Sequence, residues 1–110
     1  MDSASARELV LGLPGVTEHD HFGKGAYRAR TSASKPSKIF MTLWAEEQRA
    51  VLMLTVEQQA DLHARYPQVY FPVPNKWGKS GATFVELKNA GEKLFREGLR
   101  MALENAGAKG

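Results

Sequence analysis

A short loop, Asn75-Lys76-Trp77-Gly78-Lys79-Ser80-Gly81, combines lysines, an indole and glycines within seven residues. Lysine ammonium groups can neutralise phosphates, an indole can stack on an unpaired base, and glycine lets a backbone approach a ligand closely. The alternative is that Trp77 folds back onto the core while the lysines keep a surface turn soluble. On the first interpretation, the loop contacts phosphates and bases through Asn75, Lys76, Trp77 and Lys79.

The segment from Gly23 to Lys38 is basic and contains no acidic residue. Within it, Lys24, Arg28 and Arg30 share the alternation of a strand and are expected to project from one face beside Tyr27. They form either a second phosphate-binding row or the solvated face of a half-covered sheet. The basic residues concerned are Lys24, Arg28, Arg30, Lys35 and Lys38.

Two other patterns have chemical potential but lack the partners that their chemistry requires. The tripeptide Gly78-Lys79-Ser80 matches the end of a phosphate-binding P-loop, but Val73 stands where that motif has glycine, and a strand-like run follows instead of a helix. Glu18-His19-Asp20-His21 holds possible metal ligands, and only His63 on a separate helix offers a further one. The serines form no nucleophile elbow. The sequence therefore predicts no metal, no cofactor and no catalytic residues, and thus a protein that is not an enzyme.

The composition predicts a single globular domain over residues 1–110. The 110 residues are 43% hydrophobic and 25% charged, with a formal net charge of +3 and no cysteine. The lack of cysteine excludes disulfides and thiolate chemistry, and a secreted domain of this size would often need disulfides. With no signal-peptide run or membrane span in the sequence, we expect a cytoplasmic protein without a membrane partner.

Three helices are predicted from capping residues and apolar stripes. The first has Ser5 and Glu8 at capping-box spacing, the second starts at Thr55 with Gln58, and the third starts near Asn89. Gly107 follows the third helix, where a left-handed cap is favoured.

Five strands are predicted between the helices, in the order helix, three strands, helix, two strands, helix. Short connections favour an α+β fold with an antiparallel five-stranded sheet and helices packed on it. In the second predicted strand, residues 39–45, Phe40 and Trp44 are expected to lie on the face opposite to Ile39 and Leu43. The strand-like runs are 22–30, 39–45, 50–54, 69–73 and 83–87.

Several short motifs, in their order and spacing, resemble the MmcQ/YjbR-like family from about Leu9 to Leu103. They are Leu13-Pro14-Gly15-Val16-Thr17-Glu18, Phe22, Lys38-Ile39-Phe40, Thr55-Val56-Glu57-Gln58, and Val73-Pro74-Asn75-Lys76-Trp77-Gly78 before Thr83-Phe84-Val85. The resemblance implies an antiparallel sheet with a frataxin-like (CyaY-like) fold. It also implies DNA binding through a double wing of two hairpins, without an identified substrate or catalytic residues.

The iron chemistry of frataxin-like proteins is not expected here. Their iron-binding acidic residues lie on the first helix and the adjoining strand, whereas this first helix has only Glu8, with Asp2 before it, and a basic strand follows. Two functions are carried forward. The first is weak DNA binding with little base preference through Lys24, Arg28, Arg30, Lys38, Asn75, Lys76, Trp77 and Lys79. The second is a non-catalytic module that binds an unknown protein or small ligand on the exposed sheet face.

Overall fold

The computed structural model describes residues 1–107 as one antiparallel sheet with helices packed against it. The helices are α1 (Ser3–Leu11), α2 (Val56–Arg65), the four-residue α3 (Lys76–Lys79) and α4 (Glu92–Asn105). The strands are β1 (Thr17–His21), β2 (Lys24–Arg30), β3 (Pro36–Trp44), β4 (Arg49–Met53), β5 (Tyr70–Pro72) and β6 (Ala82–Glu86). A 3₁₀ turn, Leu87–Asn89, joins β6 to α4.

The sheet has six strands in the order β1-β2-β3-β4-β6-β5, and every neighbouring pair is antiparallel. The antiparallel α+β prediction is confirmed, with one strand more than the five expected. The additional strand is β1, whose five side chains are all exposed, so it lacks the apolar alternation by which a strand is recognised. The predicted run 22–30 starts two residues too early, because Phe22 and Gly23 form the turn that connects β1 to β2.

Helices cover only one face of the sheet. The main core joins Ala6 and Val10 of α1, Leu62 of α2 and Phe95 and Leu99 of α4 to inward side chains of the strands. On the other face, a smaller cluster contains Val51, Val73, Ala82 and Phe84, with Trp44 and Phe71 packed at its margin. We call this second face the open face.

A bulge in β3 assigns side chains to faces differently from the sequence prediction. The pairing of β2 with β3 passes from Tyr27↔Met41 to Arg28↔Ile39, which leaves Phe40 as an additional residue. Phe40 and Met41 therefore both point into the main core. The residues of β3 before Phe40 point to the faces opposite to those that strict alternation from Met41 would give them. The prediction that Phe40 shares a face with Trp44, opposite Ile39 and Leu43, was wrong: Ile39 and Trp44 border one cavity on the open face.

The helix starts follow the predicted capping chemistry in one of three cases. Thr55 and Gln58 form the expected reciprocal capping box of α2. For α1, the cap is Asp2, whose carboxylate accepts from the Ser5 amide, so Ser5 lies inside the helix. For α4, the cap is Gly91, which has no side chain to accept a bond, and the side-chain amide of Asn89 donates instead to the Gln68 carbonyl.

The hydroxyl of Tyr70 joins the edge strand β5 to the middle of α4. It donates to the carbonyl of Leu94 and accepts from the Gly98 amide at 3.1 Å, so it occupies the place of a helical hydrogen bond. A Cβ atom at Gly98 would lie 2.5 Å from this hydroxyl oxygen. Position 98 therefore requires glycine although it lies in a helix interior.

We expect Gly98→Ala to destabilise the protein by about 1–3 kcal/mol, because the added methyl group overpacks the contact with Tyr70. Intrinsic helix propensity alone would give the opposite sign, a gain of up to about 1 kcal/mol. The measurement is the free energy of unfolding from urea titration. Arg100→Ala, an exposed change in the same helix, is the control and should stay within about 0.5 kcal/mol of the unmodified protein.

A charged network attaches α1 and β1 to β2. Arg7 donates two hydrogen bonds of 2.8 Å to Glu18, and the buried Tyr27 hydroxyl donates to the same carboxylate at 2.6 Å. The bonds from Arg7, followed by that from Tyr27, lower the pKa of Glu18 from 4.5 to about 2. Burial, followed by the bond to Glu18, raises the pKa of Tyr27.

Because the pKa of Glu18 is lower in the folded state, its contribution to stability is complete above pH 4.5 and is lost as the pH falls towards about 2. We expect Glu18→Gln to reduce stability at pH 7 and to flatten the decline of stability across this acidic range. Urea unfolding at a series of pH values measures both effects. Glu47→Gln, an exposed carboxylate outside the network, is the matched control, and an equal flattening in that variant would contradict the assignment to Glu18.

Candidate functional site

Two chain segments project from the same end of the sheet. Strand β4 runs towards this end and stops at Met53, opposite Ala82 at the start of β6. Strand β3 begins there as well, and its pairing with β4 starts only at Met41↔Leu52. At about 3.3 Å per residue, the preceding part of β3 extends roughly 13 Å beyond the end of β4. We call residues 30–38 the β2–β3 projection and residues 73–81 the β5–β6 projection.

The projections carry cations without carboxylate partners. The arginines that form ion pairs within residues 1–107 are Arg7, Arg49, Arg65 and Arg96, all outside the two projections. No acidic residue occurs between Asp20 and Glu46 or between Asp61 and Glu86, so both projections lie in acid-free stretches. The exposed cations at this end are Arg30, Lys35, Lys38, Lys76 and Lys79.

The β5–β6 projection is a closely packed turn rather than the simple hairpin loop that the sequence suggested. It contains the short helix α3, capped by Asn75, whose side-chain oxygen accepts from the amides of Trp77 and Gly78. A Cβ atom at Gly78 would lie 1.8 Å from the Val73 carbonyl oxygen, and one at Gly81, where φ is +112°, would lie 1.9 Å from that of Leu54. Only glycine allows these backbone segments to pass so closely.

Gln59 of α2 anchors this turn through hydrogen bonds of its side chain. Its buried side-chain amide donates to the carbonyls of Gly78 and Ala82 at 2.9 and 3.0 Å, and it lies 3.1 Å from the Thr83 hydroxyl oxygen. The Thr83 hydroxyl in turn donates to the Gly81 carbonyl at 2.8 Å. The turn is therefore anchored to both α2 and β6.

This rigid turn presents Trp77 to solvent. The Trp77 side chain is 66% exposed, so the alternative that it folds back to cap the core is wrong. Its ring borders a cavity of about 420 Å³ on the open face. We call this cavity the open-face trough, and the side chains around it that matter here are Phe22, Lys24, Ile39, Trp44, Met53 and Trp77.

The structure distributes the predicted site residues over three places. Lys76 and Lys79 border a separate cavity of about 490 Å³ beside Gln59, and Lys38 borders one of about 400 Å³ that also touches Ser80. Lys24 lies at the other end of β2, with its ammonium nitrogen 4.5 Å from the centre of the Trp44 ring. Arg28 is half-buried and donates to the Ser37 carbonyl at 2.9 Å. Lys24 and Arg30 therefore stand at opposite ends of β2, and Arg28 between them is already bonded to a backbone carbonyl.

Sequence reasoning missed most of the aromatic and apolar members of the trough. Phe22 is 91% exposed at the tip of the β1–β2 turn, and Met53 is 40% exposed at the end of β4. A Phe-Gly pair between two polar strands could have indicated a displayed aromatic ring, since turns at such places usually favour Asn-Gly. Trp44 is partly covered because it packs edge-on against Phe84, at 5.0 Å between ring centres.

The histidine cluster makes no metal site in the part of the chain described. Residues 1–107 contain no group of three or more histidine, aspartate or glutamate side chains that could hold a metal ion. His19 lies 3.0 Å from the Thr17 hydroxyl, while His21 packs edge-on against Phe22. His63 contacts the Tyr70 carbonyl through Nδ1 at 2.7 Å, in keeping with a structural role. Within the same residues, no helix has the length and apolarity needed to cross a membrane.

The fold and site define a small α+β domain with helices on one face of an antiparallel sheet and an apolar trough on the other. The model of the YjbR family matches residues 11–104 of the chain. The chain therefore belongs to the YjbR family, which confirms the resemblance found in its motifs. Comparisons with curated proteins and with solved structures gave no significant match.

We expect Gln59→Leu to destabilise the protein by about 1–3 kcal/mol, because it leaves buried carbonyl groups of the β5–β6 projection without their donor. Hydrogen exchange should show the effect at the amides of residues 78–81 before it appears elsewhere. Gln68→Leu, at an exposed glutamine, is the control and should change neither quantity. Unchanged exchange in Gln59→Leu would contradict the anchoring role.

Proposed function

We propose that this domain binds DNA weakly and with little base preference, through the cations of its two projections. The observation that carries the proposal is the location of both projections at one end of the sheet, each with exposed cations and without acidic residues. Such an arrangement creates a local positive potential that attracts a polyanion, although the net charge is only +3. On this proposal the domain is non-catalytic, and DNA is bound rather than altered.

The phosphate contacts are assigned to Arg30, Lys35 and Lys38 on the first projection and to Lys76 and Lys79 on the second. Arg28 contributes charge near the first projection, but its guanidinium group already has a backbone acceptor. Asn75 acts by shaping the turn, since its side-chain oxygen caps α3. Lys24 lies outside this contact because it is near the opposite end of β2, six residues from Arg30 and thus about 20 Å away.

A duplex titration at several salt concentrations tests the proposal. If about four phosphates are neutralised, affinity should fall roughly a hundredfold between about 50 and about 200 mM salt, because each contact contributes about −0.9 to the logarithmic slope. Replacing Lys76 and Lys79 together by alanine should reduce the slope by up to about two units, with little change in the free energy of unfolding.

The matched control is the double variant Lys88→Ala and Lys93→Ala. It removes the same charge from exposed positions near the start of α4, at the other end of the sheet. A purely global charge effect would lower the slope equally in the two double variants. That result, or an affinity unaffected by loss of Lys76 and Lys79, would contradict the proposed contact.

A second candidate function is binding of an apolar ligand or an apolar protein segment on the open face. It is favoured by one observation: of four exposed large hydrophobic side chains in residues 1–107, all except Val56 border the open-face trough. An apolar dye that binds the trough and is not displaced by DNA would favour this second function.

A further inference from the structure

The turn between β1 and β2 displays an aromatic ring at a conformational cost. The two residues between His21 and Lys24 both have positive φ, 54° at Phe22 and 82° at Gly23. Two-residue turns of this kind favour Asn-Gly, and a bulky residue with positive φ is an outlier. Phe22 recovers little by burial because the residue is 91% exposed. Neither turn geometry nor core packing accounts for phenylalanine at this position.

Trp77 is displayed from the opposite end of the sheet by a turn that cannot easily rearrange. Asn75, Gln59 and two tightly packed glycines fix that turn, yet the indole itself is 66% exposed. A rigid support lowers the entropy cost of binding to the displayed ring. Both Phe22 and Trp77 border the same trough, although they come from different connections.

The trough is also bordered by a cation. The ammonium group of Lys24 lies over the Trp44 ring and borders the trough, whereas none of the trough-lining side chains within residues 1–107 is acidic. A strand of unpaired nucleotides offers flat rings for the exposed aromatics and phosphates for Lys24. An uncharged apolar ligand would make no ionic contact with Lys24.

We propose that the open-face trough binds single-stranded nucleic acid, with unpaired bases stacked on Phe22 and Trp77 and a phosphate near Lys24. This inference rests on the proposed nucleic-acid function and adds base stacking to the phosphate contacts of the projections. The ligand is single-stranded, because the flat faces of paired bases are covered by their neighbours in a duplex.

The test compares oligothymidylate of ten nucleotides with an abasic oligomer of equal length, by fluorescence anisotropy of the labelled strands. Phosphate contacts act on both oligomers, whereas stacking acts only on the one with bases. We expect the unmodified protein to bind oligothymidylate more tightly. Phe22→Asn and Trp77→Ala should each weaken that binding about tenfold and leave the abasic affinity unchanged.

The choice of variants separates loss of stacking from loss of folding. Asparagine tolerates the positive φ at position 22, so Phe22→Asn should not lower the thermal midpoint, and its result alone decides the question if Trp77→Ala unfolds. Val56→Ala removes an exposed hydrophobic side chain outside the trough and should bind like the unmodified protein.

The outcomes distinguish the inference from the function on which it rests. If the protein binds duplex with the expected salt dependence but does not prefer bases over the abasic strand, the stacking trough is wrong and the phosphate contact stands. Equal loss for both oligomers in Phe22→Asn also overturns the trough. Absence of binding to duplex and to both oligomers overturns both proposals. An apolar dye that occupies the trough and is not displaced by oligothymidylate overturns the stacking assignment in favour of an apolar ligand.

Discussion

The one-sided covering of the sheet is the constraint on which the other features of this domain depend. Helices α1, α2 and α4 cover one face, so the side chains of the second face must be compatible with water without a second helical layer. The chain meets this requirement by packing cations on aromatic rings. The guanidinium of Arg49 lies 5.3 Å from the centre of Phe71 and 5.2 Å from that of Phe84, and it also pairs with Glu86 at 2.9 Å. The aromatic rings near Arg49 are thus covered by its guanidinium group, whereas Phe22 and Trp77 remain exposed on the open face.

Much of the fold could be predicted from the sequence because local chemistry and tertiary structure agree there. The Thr55–Gln58 capping box needs only residues close in the chain, and the apolar stripe of α4 fits one buried face. Strand β1 was not predicted, because an exposed edge strand needs no apolar pattern. The predicted side-chain faces of β3 were wrong because the bulge at Phe40 places two consecutive apolar residues in the core. The bulge arises from the pairing with β2 and cannot be recognised in the sequence of β3 alone.

For the candidate site, the sequence indicates residue types but not how the fold groups them. Basic residues and Trp77 can be recognised by type, but their grouping depends on which ends of the strands meet. The shared alternation of Lys24 and Arg30 predicts a common face, but the two residues stand at opposite ends of β2. The turn that displays Trp77 depends on the close approach of Gly81 to Leu54, which is distant in the sequence and which no local pattern contains.

The edges of the sheet determine how another chain can approach it. Strand β1 exposes a row of polar and charged side chains, with Glu18 held by Arg7, while β5 is only three residues long and ends at Pro72, which has no amide hydrogen to offer. Short, charged or proline-containing edges oppose the addition of a further strand. Tyr70 strengthens this protection. Its hydroxyl bonds attach β5 to α4, and they thereby oppose separation of β5 from the longer β6. Growth of the sheet by strand addition is therefore disfavoured at both edges, which protects the domain against edge-to-edge aggregation.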